Sequence, residues 1–206
     1  MYQKTKDRLW KKIVASKIKN QADCLKYIKK EILQSNTIEH YIKDIKPGDK
    51  SNREAVAAKK YFRLLFGNTF IRGRYKDTIN SSLNYGYSII RSAIKKELAI
   101  RGFEQSIGLH HSSAENSFNL ADDILEPFRP FLDAIVYEFV YSKDIKEFNH
   151  EIKHQLVSVL FEKYVIDNGV YSLYDAINVM INSLIQCYEE NSSAHIKLPQ
   201  FREVGV

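Results

Sequence analysis

Residues 108–130 concentrate side chains that could bind a metal ion. The segment opens with the adjacent histidines His110 and His111 and continues into an acidic cluster. Asp123 and Glu126 stand three residues apart, so a helix would place both carboxylates on one face. A hard divalent cation such as Mg²⁺ or Mn²⁺ prefers carboxylate oxygens and tolerates one imidazole. Considered together with Glu54, these residues form a candidate metal-binding set.

Each of these side chains also has a purely structural alternative. Glu54 follows Ser51 by three residues, which is the capping-box spacing, so its carboxylate could simply close a helix start. Asp123 and Glu126 could complement a helix N-terminus, an effect worth about 0.3–1 kcal/mol each. Either histidine could be a hydrogen-bonded core residue. Spacing alone leaves both interpretations open.

The hydrophobic pattern predicts the elements that would position these residues. Apolar residues recur at helical spacing over residues 7–33, which predicts one long helix or two helices joined near Asn20. A loop is expected at Pro47 and Gly48. Later helices are predicted from Ser51 to a stop at Gly67, then over residues 79–100, 128–141, 148–165 and 172–188. We therefore expect an all-α fold, with a helical domain over residues 1–190 and a tail or docked extended strand over residues 191–206.

Charge is distributed very unevenly along the 206 residues, whose net charge is +6. Residues 1–101 carry 24 Lys and Arg against 9 Asp and Glu, and the remainder carries 7 against 16. A basic half of this kind suggests a polyanionic partner such as nucleic acid, and an acidic half could hold divalent cations. The alternative is that these charges are ordinary solvated helix faces.

Cysteine use and hydropathy favour a soluble, cytoplasmic protein without a membrane association. Cys24 and Cys187 have no metal-binding spacing and make no disulfide framework. The N-terminus has no apolar core of a signal peptide, and no apolar run is long enough to span a bilayer.

Three phrases of the sequence resemble one known family. They read NREAVAAKKYFRLLFG, TINSSLNYGYSIIRSAI and GLHHSSAENSFNLADDILEPFRPFLD. They closely resemble the CRISPR adaptation integrase, the CRISPR-associated endonuclease that inserts new spacers. The resemblance is strongest to the type II version and runs over residues 7–185.

The resemblance implies a role for each candidate ligand. In this family one metal-binding glutamate begins a helix of the N-x-E-x-x-A-A type, which is Glu54 here. A histidine three residues after a glycine matches His111, counted from Gly108, better than His110. The last acidic ligand lies in a D-[LI]-x-[ED]-x-x-R-P motif, which makes it Glu126. The resemblance thus implies that Glu54, His111 and Glu126 are the catalytic ligands of Mg²⁺ or Mn²⁺. It implies that Asp123 is either an accessory ligand or a carboxylate that supports the ligands without contacting the ion.

The resemblance also implies an activity and partners. The expected activity is that of a metal-dependent DNA endonuclease and integrase, in which a 3′-hydroxyl of captured DNA attacks a phosphodiester at the repeat. The family works as homodimers bridged by a small ferredoxin-like partner, the second CRISPR adaptation protein. Components of the type II effector are a further possible set of partners.

The sequence departs from the family in one respect. The family has an N-terminal β-rich domain that helps form the homodimer, and this chain begins almost directly on the helical domain. We therefore expect the catalytic helical domain without that β domain. The alternative function is a truncated, catalytically inactive remnant that binds DNA or takes part in assembly.

Basic residues near Glu54 are candidates for contacts with DNA phosphates, which set position and salt dependence rather than sequence. They are Arg53, Lys59, Lys60, Arg72, Arg74 and Lys76. Some of them could equally be exposed side chains of a helix. By the resemblance, Asn84, Tyr85 and Arg129 are expected to be architectural, with Arg129 anchoring the acidic helix through carboxylate or carbonyl contacts.

A second motif, from His150 to His154, matches H-E-x-x-H. On a helix this pattern places two histidines on one face for zinc, with Glu151 as a general base, so a zinc peptidase is a competing hypothesis. No third ligand follows in a recognisable motif, and the surroundings are those of an amphipathic helix. The pattern therefore favours a solvated helix face.

Overall fold

The computed structural model describes residues 1–73, 75–166 and 168–201. Helices dominate these residues. Their bounds, in chain order, are α1 Gln3–Tyr27, α2 Ile32–Glu39, α3 Arg53–Phe66, α4 Thr78–Ile100, α5 Asn119–Leu125, α6 Arg129–Val136, α7 His150–Val157 and α8 Leu173–Glu189. A 3-10 turn, Glu126–Phe128, joins α5 to α6, and a π-helical turn, Tyr137–Tyr141, follows α6.

The expectation of an all-α fold is wrong, because the described residues include a small antiparallel sheet. Strand β1 (Lys163–Ile166) lies between β2 (Gly169–Ser172) and β3 (Pro199–Gln200). Val165 pairs with Val170 on one side and with Gln200 on the other.

The sheet has a local cause that the helical interpretation overlooked. A helix was predicted over residues 148–165, but α7 ends at Val157, a 3-10 turn follows over Ser158–Leu160, and the chain is extended from Lys163. Tyr164 and Val165 are aromatic and β-branched residues that favour strands. Asn168 adopts a left-handed backbone (φ 66°) just before Gly169, as a tight hairpin requires. Asp167, which lies between the helices predicted over residues 148–165 and 172–188, is outside the described residues.

Helix α1 forms the centre of the fold. Its buried stripe, which includes Leu9, Ile13 and Val14, contacts α2, α3, α6 and β3. The helix continues without a break through Asn20, whose buried side-chain amide donates to the carbonyls of Pro127 (2.9 Å) and Pro199 (3.0 Å). One polar side chain of α1 therefore fixes both the acidic turn after α5 and the strand near the C-terminus.

Helix α4 supports the other side of α5 and α6. Asp77 caps its start by accepting a hydrogen bond from the backbone N–H of Asn80 at 2.9 Å. Gly86 lies against Leu132 of α6, and a Cβ at that position would overlap the leucine side chain. Glycine therefore permits the close approach of the two helices. No helix in the described part of the chain is long and apolar enough to cross a membrane.

Candidate metal centre and adjoining cleft

Glu54 lies in the first turn of α3, and its carboxylate does not cap that helix. The backbone N–H groups of Arg53 and Glu54 both donate to the carboxylate of Asp49, each at 2.9 Å. Ser51 donates its hydroxyl to the carbonyl of Asp44 instead. The expected capping box between Ser51 and Glu54 is therefore wrong. Because Asp49 satisfies the helix start, the Glu54 carboxylate is available for another contact.

Glu126 begins the 3-10 turn between α5 and α6 and is 5% exposed. Arg129 donates from Nε to Glu126 Oε1 at 2.9 Å, as expected for an arginine that anchors the acidic segment. Burial by itself raises the pKa of Glu126, but the charges of Arg129 and Lys17 outweigh it and hold the pKa at about 2. Glu126 is therefore fully ionised at neutral pH.

Lys17 of α1 joins the two glutamates, and the sequence interpretation missed it. Its ammonium contacts Glu54 Oε1 and Glu126 Oε2, and its side chain is only 6% exposed. Burial lowers the pKa of Lys17, but the two carboxylates outweigh that effect and raise it. A sequence signal did exist, since Lys17 follows Ile13 by four residues and Val14 by three, which places it on the buried stripe of α1.

Asp123 organises the loop that carries the histidines. Its fully buried carboxylate accepts hydrogen bonds from the backbone N–H groups of Leu109 (2.6 Å), His110 (3.0 Å) and His111 (3.2 Å). It also contacts His111 Nδ1 at 2.7 Å. Gly108 completes the turn, because a Cβ there would overlap the carbonyl oxygen of His111 and lie 2.7 Å from Asp123 Oδ2.

The two histidines have different surroundings. The ring of His110 stacks on Trp10 with a centroid distance of 4.4 Å and an interplanar angle of 3°. His111 is held through Nδ1 by Asp123, and this hydrogen bond is the main reason that its pKa is raised. Metal-binding histidines usually bond a carboxylate through one ring nitrogen and the ion through the other. In His111 the nitrogen that would bind an ion in this way is Nε2.

A cleft of about 630 Å³ adjoins the two glutamates. Its lining includes Lys17, Glu54, Glu126 and Arg129, whereas His111 borders a neighbouring polar cavity of about 660 Å³. Over residues 1–73, 75–166 and 168–201, no group of three or more His, Cys, Asp or Glu side chains is close enough to hold a metal ion. The structure thus brings Glu54 and Glu126 together around Lys17 and does not bring His111 into one ligand group with them.

The predicted phosphate-binding residues differ in position. Lys59 is exposed at the rim of the cleft, and Arg72 lies in its wall, bonded to Asn80 (3.0 Å) and Asn84 (2.8 Å) and placed over the Tyr87 ring. Sequence reasoning missed Arg63, which also lines the cleft.

The remaining predicted basic residues lie away from the centre of the cleft or beyond the described residues. Arg53 is half-buried in the first turn of α3, and Lys60 is exposed further along that helix. Lys76 borders a different cavity, together with Lys146. Arg74 lies outside the described residues.

The H-E-x-x-H segment forms helix α7, with Asn149 as its cap. His150, Glu151 and His154 are exposed, and Ile152 faces the core. In the described residues no third ligand joins the two histidines. The arrangement is that of a solvated helix face.

Comparison with known proteins points to one family. The family model described as "CRISPR associated protein Cas1" matches residues 1–167. The CRISPR-associated endonuclease Cas1 of Neisseria meningitidis serogroup C is 34% identical over 199 residues, covering 95% of this chain and 64% of the relative. A Cas1 endonuclease of Francisella tularensis subsp. novicida is 25% identical, covering 85% of this chain and 60% of the relative. The chain thus spans less than two thirds of the length of these two relatives.

Solved structures show the same fold. A casposase bound to integration product superposes with a TM-score of 0.72 at 19% identity, covering 91% of this chain and 65% of that one. A Cas1 protein from Thermotoga maritima also gives a TM-score of 0.72 at 20% identity, covering 90% of this chain and 66% of that one.

Proposed function

The chain belongs to the Cas1 family of CRISPR-associated proteins, and from that premise we propose that it is a metal-dependent DNA endonuclease and integrase of CRISPR spacer acquisition. The observation that carries the proposal is the convergence of Glu54 and Glu126, distant in sequence, on a single positive charge beside a cleft. In this reaction a 3′-hydroxyl of a captured DNA fragment attacks a phosphodiester at the repeat.

The donor set suits Mg²⁺ or Mn²⁺. Mg²⁺ is commonly held by one or two carboxylates together with water and substrate phosphate oxygens, and Mn²⁺ also accepts an imidazole. Glu54 and Glu126 supply the carboxylates, and His111 supplies a ring whose other nitrogen is already bonded to Asp123. A bound ion of this kind would stabilise the charge that develops at phosphorus and would favour deprotonation of the attacking hydroxyl.

The protein's own residues would position the DNA and the ligands. Asp123 fixes the orientation of His111, so we assign it a positioning role rather than a direct contact with the ion. Arg129 keeps Glu126 ionised and in place. Lys59 and Arg72 at the cleft would neutralise backbone phosphates.

Three further basic residues remain in the proposal as contacts further along the DNA. They are Arg53, Lys60 and Lys76. We also propose that the complete assembly is a homodimer with the small second CRISPR adaptation protein. The support for these partners is family membership.

A cleavage and strand-transfer assay tests the function. Purified protein is incubated with branched DNA and Mn²⁺, alongside the variants Glu54→Gln and His111→Ala. We expect each variant to lose activity by about 100-fold or more, because each lacks a metal ligand. The matched control is His154→Ala, which removes an exposed histidine remote from the cleft and should leave activity unchanged.

The same assay can contradict the proposal. If the wild-type protein cleaves no better than Glu54→Gln while still binding the DNA, the chain is a DNA-binding or assembly protein without turnover. If activity depends on His154 and Zn²⁺ instead, the metal centre proposed here is the wrong one.

A further inference from the structure

We propose that Lys17 is an exchangeable counter-ion of the metal centre. In the metal-free protein its ammonium holds Glu54 and Glu126 together, and it must leave when a divalent ion binds. Metal binding is then an exchange of one cation for another. This inference rests on the proposed function, because it assumes that the two glutamates bind the ion.

The position of Lys17 carries the inference. Its ammonium lies between Glu54 Oε1 and Glu126 Oε2 and contacts both. An ion bound by the same two oxygens would occupy the space in which this ammonium lies. The two cations therefore cannot bridge the glutamates at the same time.

The charge balance leads to the same conclusion. Two carboxylates, Glu54 and Glu126, face two cations, Lys17 and Arg129, so the buried cluster is neutral. Adding a divalent ion with Lys17 still in place would leave two uncompensated positive charges among side chains that are largely buried. Uncompensated charge of this kind costs several kcal/mol in a protein interior. Removal of the ammonium lowers that excess by one charge.

Lys17 has a route out of the cluster. Lysine carries a compact charge on a flexible four-carbon stem, so its ammonium can move while the backbone of α1 stays fixed. Lys17 itself lines the cleft of about 630 Å³ beside the glutamates. The displaced ammonium can therefore enter this cleft and stay hydrated, or approach a phosphate bound there.

The metal-free cluster needs such a counter-ion. Glu126 is 6% exposed in its side chain, and without Lys17 the two carboxylates would repel each other across the cluster, because the ion pair that Arg129 makes is with Glu126 rather than with Glu54. Lys17 thereby keeps the ligands assembled before metal arrives, at the expense of weaker net affinity for the ion.

Calorimetry with Lys17→Met tests the exchange. Met has a similar length and no charge. We expect this variant to bind Mn²⁺ about tenfold more tightly or better than wild type, because no ammonium has to be displaced. The metal-free variant should unfold at a lower temperature than wild type, and saturating Mn²⁺ should close that gap. If Lys17→Met does not fold without metal, the same comparison is made with Lys17→Gln, which keeps a hydrogen-bond donor.

Controls separate this inference from the function on which it rests. Lys19→Met removes a charge from the same helix, at a residue paired with Asp23 and Glu39 outside the cluster, and should leave Mn²⁺ affinity unchanged. The exchange is refuted if Lys17→Met binds Mn²⁺ as weakly as wild type or more weakly, while Glu54→Gln and Glu126→Gln lose binding. If the two glutamine variants bind Mn²⁺ like wild type, the proposed metal centre itself fails.

Discussion

Glu126 and Asp133 are two buried carboxylates that line the same cleft, and their surroundings give them opposite properties. Glu126 contacts Lys17 and Arg129, and its pKa is lowered to about 2. Asp133 accepts a hydrogen bond from the Tyr87 hydroxyl, and its Oδ2 has no hydrogen-bond partner among the described residues. Burial outweighs the hydrogen bond and raises the pKa of Asp133 to about 6.

The difference shows what prepares a carboxylate for a metal ion. Burial alone makes ionisation of a carboxyl group less favourable, as it does at Asp133, whereas a metal ion binds the ionised carboxylate. Two adjacent cations reverse this preference at Glu126. Glu54 and Glu126, which share contacts with Lys17, are therefore the pair that we propose for metal binding, and we assign Asp133, which is bonded to Tyr87, a structural role.

The largest effect on stability should come from Glu126→Gln. Removal of this buried charge leaves Arg129 and Lys17 without their shared partner, and we expect the free energy of unfolding to fall by about 3–5 kcal/mol at pH 7. Chemical denaturation of the variant and of wild type measures this change in the free energy of unfolding. The matched control is Glu138→Gln, at an exposed position in the π-helical turn that follows α6, which should change stability by less than about 0.5 kcal/mol.

The pH dependence of this difference has a fixed sign. The pKa of Glu126 in the folded protein is below its usual value of 4.5, so its contribution to stability is present above pH 4.5 and is lost as the pH falls towards 2. A stability difference between wild type and Glu126→Gln that grows on acidification would contradict the ion cluster.

Asp133→Asn should have the opposite effect. The pKa of Asp133 is raised from 3.8 to about 6 in the folded protein, so the contribution of Asp133 to wild-type stability falls as the pH rises from 4 to 6 and stays lower above 6. An asparagine cannot ionise, so its contribution does not change with pH. The free energy of unfolding of the variant minus that of wild type should therefore be about 2–3 kcal/mol higher at pH 8 than at pH 4. Denaturation curves at the two pH values measure this. If Asp133→Asn is less stable than wild type by the same amount at both, the contrast between the two carboxylates is wrong.

A smaller effect tests how Glu54 is released for metal binding. Asp49 caps α3, so Asp49→Ala should lower the free energy of unfolding by about 1 kcal/mol. Ser51→Ala is the matched control and should change it by less than about 0.5 kcal/mol, because Ser51 does not cap the helix. Thermal denaturation of the two variants and of wild type measures both changes in stability. If Ser51→Ala loses more stability than Asp49→Ala, Ser51 caps the helix after all, and the capping box with Glu54 would be the correct interpretation.

Helical periodicity predicted the main helices well, because long amphipathic segments such as α1 and α4 carry a repeated signal. It failed over residues 163–172, where four-residue strands depend on pairing with a segment near the C-terminus rather than on local pattern. Glu54 was selected as a candidate metal ligand from the family motif rather than from spacing, because no local sequence pattern links it to residues 108–130.

Sequence reasoning missed the residues that act through long-range contacts. Lys17 is one charged residue in a lysine-rich helix, and only the fold brings it to Glu54 and Glu126. Asp49 was missed because the spacing of Ser51 and Glu54 predicts a capping box at the start of α3. The pairing of Asp123 with the His111 ring required the loop geometry that Gly108 permits.

We propose that Glu54 and Glu126 together hold a divalent metal ion. The most direct measurement is anomalous diffraction from crystals of the protein soaked in MnCl₂. We expect one strong Mn²⁺ peak within bonding distance of both carboxylates, at the place that Lys17 Nζ occupies without metal. The Lys17 side chain should then lie in the cleft. A map without a peak between these two residues, or with its main peak at His150 and His154, would contradict it.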